Sequence, residues 1–260
     1  MKAMKKIIFA IFLMFWQVNA QAAIHTETID YKDGDTVLEG YLAYDDAIQV
    51  KRPGVLIVHE WMGLGPYAQR RAREVAGLGY VAFAADIYGK GVRPTDYGEA
   101  GRQAGIYKSD RPLMRRRASA GLQVLKENPH VDSSRLAAIG YCFGGTTVLE
   151  LARSGEDVRG VVSFHGGLDT PTPEDAKNIR GKVLVLHGAD DPFAPRAQVL
   201  QLEDEMKNAG VDYEVVLYPG AVHSFTNPDS GNDPSKGAAY NAAADKQSWE
   251  AMKLFFKKVL

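Results

Sequence analysis

The sequence predicts an α/β fold, a doubly wound and mostly parallel sheet with helices on both faces. Short continuous apolar runs such as GVLIVH at 54–59, and similar runs ending at Ala85, Phe164 and His187, fit strands covered on both sides. Segments of helical periodicity separate them, which is the alternation that builds parallel sheets. At 260 residues with ordinary apolar and charged fractions, the chain can bury the core of one large domain, and it shows no internal repeat or low-complexity linker. A formal net charge of -1 gives no basis for a nucleic acid or anionic membrane partner.

Residues 1–22 read as a cleaved secretory signal. Lys2, Lys5 and Lys6 precede an apolar run from Ile7 to Trp16, and small residues follow, with cleavage expected after Ala20 or Ala22. The run is shorter than the roughly 20 residues of a membrane span, so no stable anchor is expected after cleavage. The mature domain then covers residues 23–260 and is secreted, in a periplasm-like location. There, Ala23 to Tyr31 and Thr36 to Tyr44 alternate around KDGD as an antiparallel edge hairpin, and Pro53 introduces the first buried strand.

A helix over Tyr67 to Leu78 is expected to stop at Gly79. Tyr80 to Ala85 is a buried strand, and Gly91 to Lys108, rich in glycine, tyrosine and charge, is expected as loop and short helix over the active-site face. Asp110 and Pro112 start a helix carrying Ala118, Leu122 and Leu125 on one face. After a short strand at Leu136 to Ile139 come the strands Val158 to Phe164 and Lys182 to His187, interleaved with helical segments. Val199, Leu202, Met206 and Ala209 mark a helix, Val211 to Tyr218 a strand, and Trp249, Met252, Phe256 and Val259 a terminal helix.

The chemistry centres on Gly140-Tyr141-Cys142-Phe143-Gly144-Gly145, which holds the only cysteine of the chain. Glycines two before and two after a central residue, at a strand-to-helix turn, form the pattern of a nucleophile elbow with cysteine in place of serine. Small neighbours let strand and helix approach closely around a strained turn. The helix that follows presents roughly +0.5 of an elementary charge to a thiolate or an oxyanion. Export makes a lone thiol a liability, and with no second cysteine an internal disulfide is impossible. A retained thiol then serves chemistry or lies deeply buried.

Reactive groups in an open sheet gather at the carboxyl ends of strands. GADDPFAP follows the strand ending at His187 and PGAVHSF follows the strand ending at Tyr218, giving the order nucleophile, acid, histidine found in α/β-hydrolase triads. A thiol of pKa about 8.5 is only a few per cent ionised at neutral pH, so a base is needed. His223 fits the base and Asp191 its orienting acid, with Asp190 as competitor. A helix cap is the alternative role of the acidic pair.

The chain resembles the dienelactone hydrolase family over essentially all of the mature sequence, through HEWMG at 59–63, ADIYGKG at 85–91, GYCFGG around Cys142, HGADDPFAP at 187–195 and YPGAVHSFTNP at 218–228. The resemblance implies an α/β-hydrolase fold with little or no cap domain and a triad of Cys142, His223 and Asp191. It also implies that Glu60 modulates the thiol by holding its proton, and that the backbone N–H groups of Trp61 and Phe143 form an oxyanion hole. The bland alternative for Glu60 is an ion pair with Arg93.

Where the resemblance places substrate-holding arginines, Lys90 and Asn227 stand instead, and a neutral amide cannot replace a bidentate guanidinium clamp. This argues against the anionic lactone. His165 in SFHGG is a further candidate for the pocket lining. The expected activity is a monomeric, cofactor-free and metal-free hydrolase opening a small-molecule ester or lactone through an acyl-enzyme, with a general carboxylesterase or thioesterase, or a non-catalytic hydrolase-like binding protein, as alternatives. The scattered histidines show no metal-ligand spacing.

Overall fold

A computed structural model describes residues 23–260; the expected signal at 1–22 lies outside them. The hairpin forms as β1 (Ile24–Asp33) and β2 (Thr36–Asp45), turning at Gly34 with φ 59°. Then come β3 (Arg52–Val58), α1 (Pro66–Gly77), β4 (Val81–Ala85), α2 (Tyr97–Ser109), α3 (Arg111–Glu127) and β5 (Val131–Tyr141). The chain ends with α4 (Phe143–Arg153), β6 (Gly160–Phe164), β7 (Lys182–Gly188), α5 (Arg196–Ala209), β8 (Tyr213–Tyr218) and α6 (Ala242–Val259). One eight-stranded sheet runs β1-β2-β4-β3-β5-β6-β7-β8. The hairpin is antiparallel to β4, and every pairing from β4 to β8 is parallel. The carboxyl ends of β3, β5, β7 and β8 therefore share one edge.

The buried strand runs cover both faces, as their unbroken hydrophobicity requires. Val55, Ile57, Ile139 and Leu184 pack with α1 and α6, while Leu56, Val58, Ala138 and Val183 pack with α2 to α5. Among the described residues no helix is long and apolar enough to cross a membrane. Three segments differ from expectation. The strand leading to Cys142 is longer, because Val131 to Asp132 pair with Arg52 to Pro53 before a bulge. Between β6 and β7 only a 3₁₀ turn, Pro173–Asn178, forms. The segment after Gly91 holds a 13-residue helix, started by Asp96, whose carboxylate accepts from Glu99 N–H at 2.8 Å. That helix has no clean apolar stripe for periodicity to detect; its cap is the legible signal.

Helix α4 is buried along its whole length and carries two charges inward, Glu150 and Arg153, both fully buried. Arg153 grips Glu205 of α5 with two bonds of 2.7 and 2.8 Å and reaches Glu150 at 3.0 Å. Arg115 of α3 joins Glu150 at 2.7 Å to Asp175 at 2.7 Å. Each charge in this network has a partner, which is the condition for keeping ions out of water. The network clamps α4 to α3 and α5, and so fixes the helix whose first turn adjoins Cys142. Replacing Glu150 by Ala is expected to cost about 3 kcal/mol or more through the uncompensated arginines. That corresponds to a fall in Tm of roughly 6–12 °C by calorimetry.

Candidate active site

The β5-to-α4 turn puts Cys142 at φ 55° and ψ −115°, a conformation costly for a residue with a side chain. Its neighbours explain the glycines. A Cβ on Gly140 would lie 2.0 Å from the Gly144 carbonyl oxygen, one on Gly144 2.2 Å from that of Val58, and one on Gly145 2.6 Å from Ser163 Oγ. Strand and helix touch backbone to backbone, and only hydrogen fits between them. Cys142 is half-buried and its sulfur faces the carboxyl edge of the sheet.

The sequence-predicted residues Cys142, His223 and Asp191 meet there. His223 Nε2 lies 3.0 Å from Cys142 Sγ, and its Nδ1–H donates to Asp191 Oδ2 at 2.8 Å. Asp191 is held in turn, since its Oδ1 accepts from the N–H groups of Phe193 at 2.8 Å and Ala194 at 3.1 Å. Asp190 points away and accepts from Gly220 N–H at 3.0 Å. Burial alone would depress His223, but its electrostatic interaction with Cys142 and the hydrogen bond to Asp191 outweigh it and raise its pKa to about 10. Burial would raise Asp191, yet the bond and charge of His223 hold it below the usual carboxylate range.

Glu60 follows β3 and turns toward His223. Its Oε2 accepts from Asn227 Nδ2 at 2.6 Å and its Oε1 from Ser224 Oγ at 3.2 Å. Burial pushes its pKa up, against the opposing effect of the Asn227 bond. Arg93 is not its partner; that guanidinium lies 3.5 Å from Glu39 and 3.6 Å from Asp86. Among the described residues the N–H groups of Trp61 and Phe143 donate to no protein acceptor, which leaves both free for a ligand oxygen.

The remaining candidates take other positions. Lys90 is turned to the hairpin, where it pairs with Asp30 at 2.5 Å and sits 3.9 Å from Glu39, because its exposed ammonium finds carboxylates there. Asn227 is 8% exposed and spends its amide inside the protein: Nδ2 holds Glu60 and Oδ1 accepts from Asp229 N–H at 3.0 Å. His165, expected to line the pocket, is fully buried. Its Nδ1 accepts from Cys142 N–H at 3.1 Å, so Nε2–H donates to Thr226 Oγ1 at 2.7 Å, and burial pushes its pKa well down. It braces the elbow from beneath.

Other site residues escaped sequence reasoning. His59 Nε2 accepts from Ile87 N–H at 3.2 Å while Nδ1–H donates to Glu60 O at 2.6 Å, and burial lowers its pKa to about 4. Tyr88 OH donates to Trp61 O at 2.9 Å. Buried Asp86 accepts from the N–H groups of Tyr88, Gly89 and Glu39, shaping the loop after β4. The HEWMG and ADIYGKG stretches held these residues, but no spacing in them gave roles. Among the described residues, the non-glycine residues with positive φ are Cys142, His165 and Ser224, and all stand in this cluster. Stored strain of that kind gathers where geometry serves function.

A model of the dienelactone hydrolase family matches residues 38–260. The chain belongs to the dienelactone hydrolase family. The solved structure of m3DLH is 42% identical, superposes with a TM-score of 0.88, and the match covers 92% of this chain and 99% of that one. A dienelactone hydrolase-like promiscuous phosphotriesterase, P91, from metagenomic libraries is 40% identical with a TM-score of 0.86 over 91% and 99%. A Synechocystis sp. protein provisionally named a carboxymethylenebutenolidase is 27% identical over 91% of this chain and 98% of its own. The chain is a hydrolase acting on carboxylic esters or lactones, and its fold is that of the family's α/β-hydrolases.

The raised pKa of His223 makes a direct prediction. Stability from its charge is fully present below its ordinary pKa of 6.5 and is lost as pH rises through about 10. In a Cys142→Ala protein, nitrogen-edited NMR of the imidazole should show His223 losing its proton at distinctly lower pH than in wild type. An unchanged titration would assign the shift to Asp191 alone.

Proposed function

We propose that this chain opens a small ester or lactone by acyl transfer through Cys142, with His223 as proton carrier and Asp191 holding it. The observation that carries the reading is the continuous line from Sγ to Nε2 at 3.0 Å and from Nδ1 to Asp191 at 2.8 Å, beside two N–H groups without partners. His223, its pKa raised to about 10 and its ring held by Asp191, is the group placed to take the thiol proton.

Sulfur attacks the acyl carbon, and the carbonyl oxygen takes up negative charge against the N–H groups of Trp61 and Phe143. The bond to the leaving oxygen breaks as His223 Nε2–H gives that oxygen its proton. Water then attacks the thioester, passing its proton to His223, and the carbon–sulfur bond breaks to release the acid. Asp191 fixes the tautomer throughout, since Nδ1–H has no other acceptor. Glu60, held by the uncharged donors Asn227 and Ser224, acts through His223: its ionised form favours the imidazolium that carries the thiol proton. The basic and apolar start of the chain supports export, so we place the mature enzyme in a secreted, periplasm-like compartment.

With short acyl esters and lactones, Cys142→Ala should lower kcat/KM by at least about 1000-fold, the scale seen when a triad nucleophile is removed. Retained turnover would remove acyl transfer through this thiol. Asn227→Ala should shift the acid limb of the pH–rate profile to higher pH, because the amide bond lowers the pKa of Glu60 and an ionised Glu60 is the competent form. An acid limb that stays in place would take Glu60 out of the reaction.

A further inference from the structure

The site carries aromatic rings where an anionic substrate would call for cations. Trp61 stacks on Tyr97 with centroids 5.4 Å apart and planes 16° from parallel, and Tyr97 is 75% exposed. Phe193, 60% exposed, sets its ring edge-on to His223 at 5.5 Å. The sheet order puts β5 between β3 and β7, so the Trp61–Tyr97 stack and Phe193 lie on opposite sides of Cys142. Large apolar groups left in solvent beside a reactive centre mark a recognition surface.

These rings are held in place. Tyr97 opens α2 between reciprocal bonds: Asp96 Oδ1 accepts from Glu99 N–H at 2.8 Å, and Glu99 Oε2 accepts from Thr95 N–H at 3.1 Å. Trp61 is tied through its carbonyl to the Tyr88 hydroxyl. Phe193 is bound through its own N–H to Asp191, and its ring packs so closely on Gly237 that a Cβ there would come within 3.2 Å of it. Rings fixed before a ligand arrives lose little entropy on binding.

The charges point the same way. Lys90 and Arg93 are paired with Asp30, Glu39 and Asp86 on the hairpin side, and the amide of Asn227 is bound to Glu60. A substrate carboxylate near the thiol would meet the carboxyl of Glu60, while the nearest guanidinium, Arg71, is buried and already paired with Glu74 and Asp245. Resting on the acyl-transfer reading above, we propose that the preferred substrate is an uncharged ester or lactone carrying a planar aryl group, gripped between the Trp61–Tyr97 stack and Phe193.

Two arms test it. The Cys142→Ala protein, titrated calorimetrically with acetanilide and with 4-acetamidobenzoate, reads recognition without turnover. Acetanilide should bind the more tightly, and adding Tyr97→Ala should weaken it about 10-fold, the upper end of what one aromatic pair contributes. Equal or tighter binding of the carboxylate, or no effect of Tyr97→Ala, overturns the proposal whether or not the thiol is catalytic. In the second arm, the wild-type protein hydrolyses 4-carbamoylphenyl acetate, 4-carboxyphenyl acetate and ethyl acetate. Tyr97→Ala should raise KM for the neutral aryl ester with kcat little changed, and leave ethyl acetate turnover as it was. An equal loss on the aryl and alkyl esters would make Tyr97 structural and overturn the proposal. Hydrolysis that survives Cys142→Ala would count against the acyl-transfer reading alone.

Discussion

The left-handed turn at Cys142 is the constraint on which the rest of the structure depends. A residue with a side chain at φ 55° is held there only if its surroundings leave no alternative. Gly140, Gly144 and Gly145 supply that condition by letting β5, α4 and β3 meet at backbone contact. The Cys142 N–H is itself shared between Phe164 O at 3.0 Å and His165 Nδ1 at 3.1 Å, so the turn is tied to β6 as well as to its own helix. The clamp of Glu150, Arg153, Arg115 and Glu205 then keeps α4 from relaxing away. A buried ion network is a poor way to gain stability, but it fixes direction, and direction is what this helix must provide.

Electrostatics sort the histidines of the site by the same logic. His59, His165 and His187 are buried against neutral partners, and desolvation drives all of them toward the neutral form. His223 experiences the same burial, yet Cys142 and Asp191 reverse its sign. The neutral rings therefore act as spacers and single acceptors or donors. His165 receives a proton bond from the elbow, while His187 Nε2–H donates to Ala194 O at 2.8 Å and steadies the loop that carries Asp191. Only one imidazole in the cluster is arranged to carry charge through a reaction.

Much of this was legible in the sequence, because the decisive signals were local. A glycine frame around a cysteine, apolar strand runs and acid or histidine positions just after strands each follow from short-range sterics and burial. They predicted the sheet and the meeting of Cys142, Asp191 and His223. The misplaced residues were those whose environment is set by distant chain. Lys90 belongs to the hairpin only because Asp30 and Glu39 lie across from it, and His165 is sealed beneath the elbow by Thr226. Helix α2 carries its information in a cap at Asp96 instead of in periodicity, and the charge clamp of α4 joins helices far apart in sequence.

Asn227 shows how a neutral amide at one position limits what a site can recognise. An arginine at that place would meet Glu60 as an ion pair, drawing its pKa down and offering spare donors to a second anion. The asparagine gives one donor to Glu60 and uses its oxygen to cap the 3₁₀ turn that follows. Burial then raises the pKa of Glu60 above its ordinary value, against the bonds of Asn227 and Ser224 and the charges of His223 and Arg71. Ser224, itself held at φ 57°, completes the cradle and links the backbone after His223 to the carboxyl across from it. A neutral amide at 227 thus has two consequences: the Glu60 carboxyl is held without an ion pair from that position, and position 227 offers no charge to an anion.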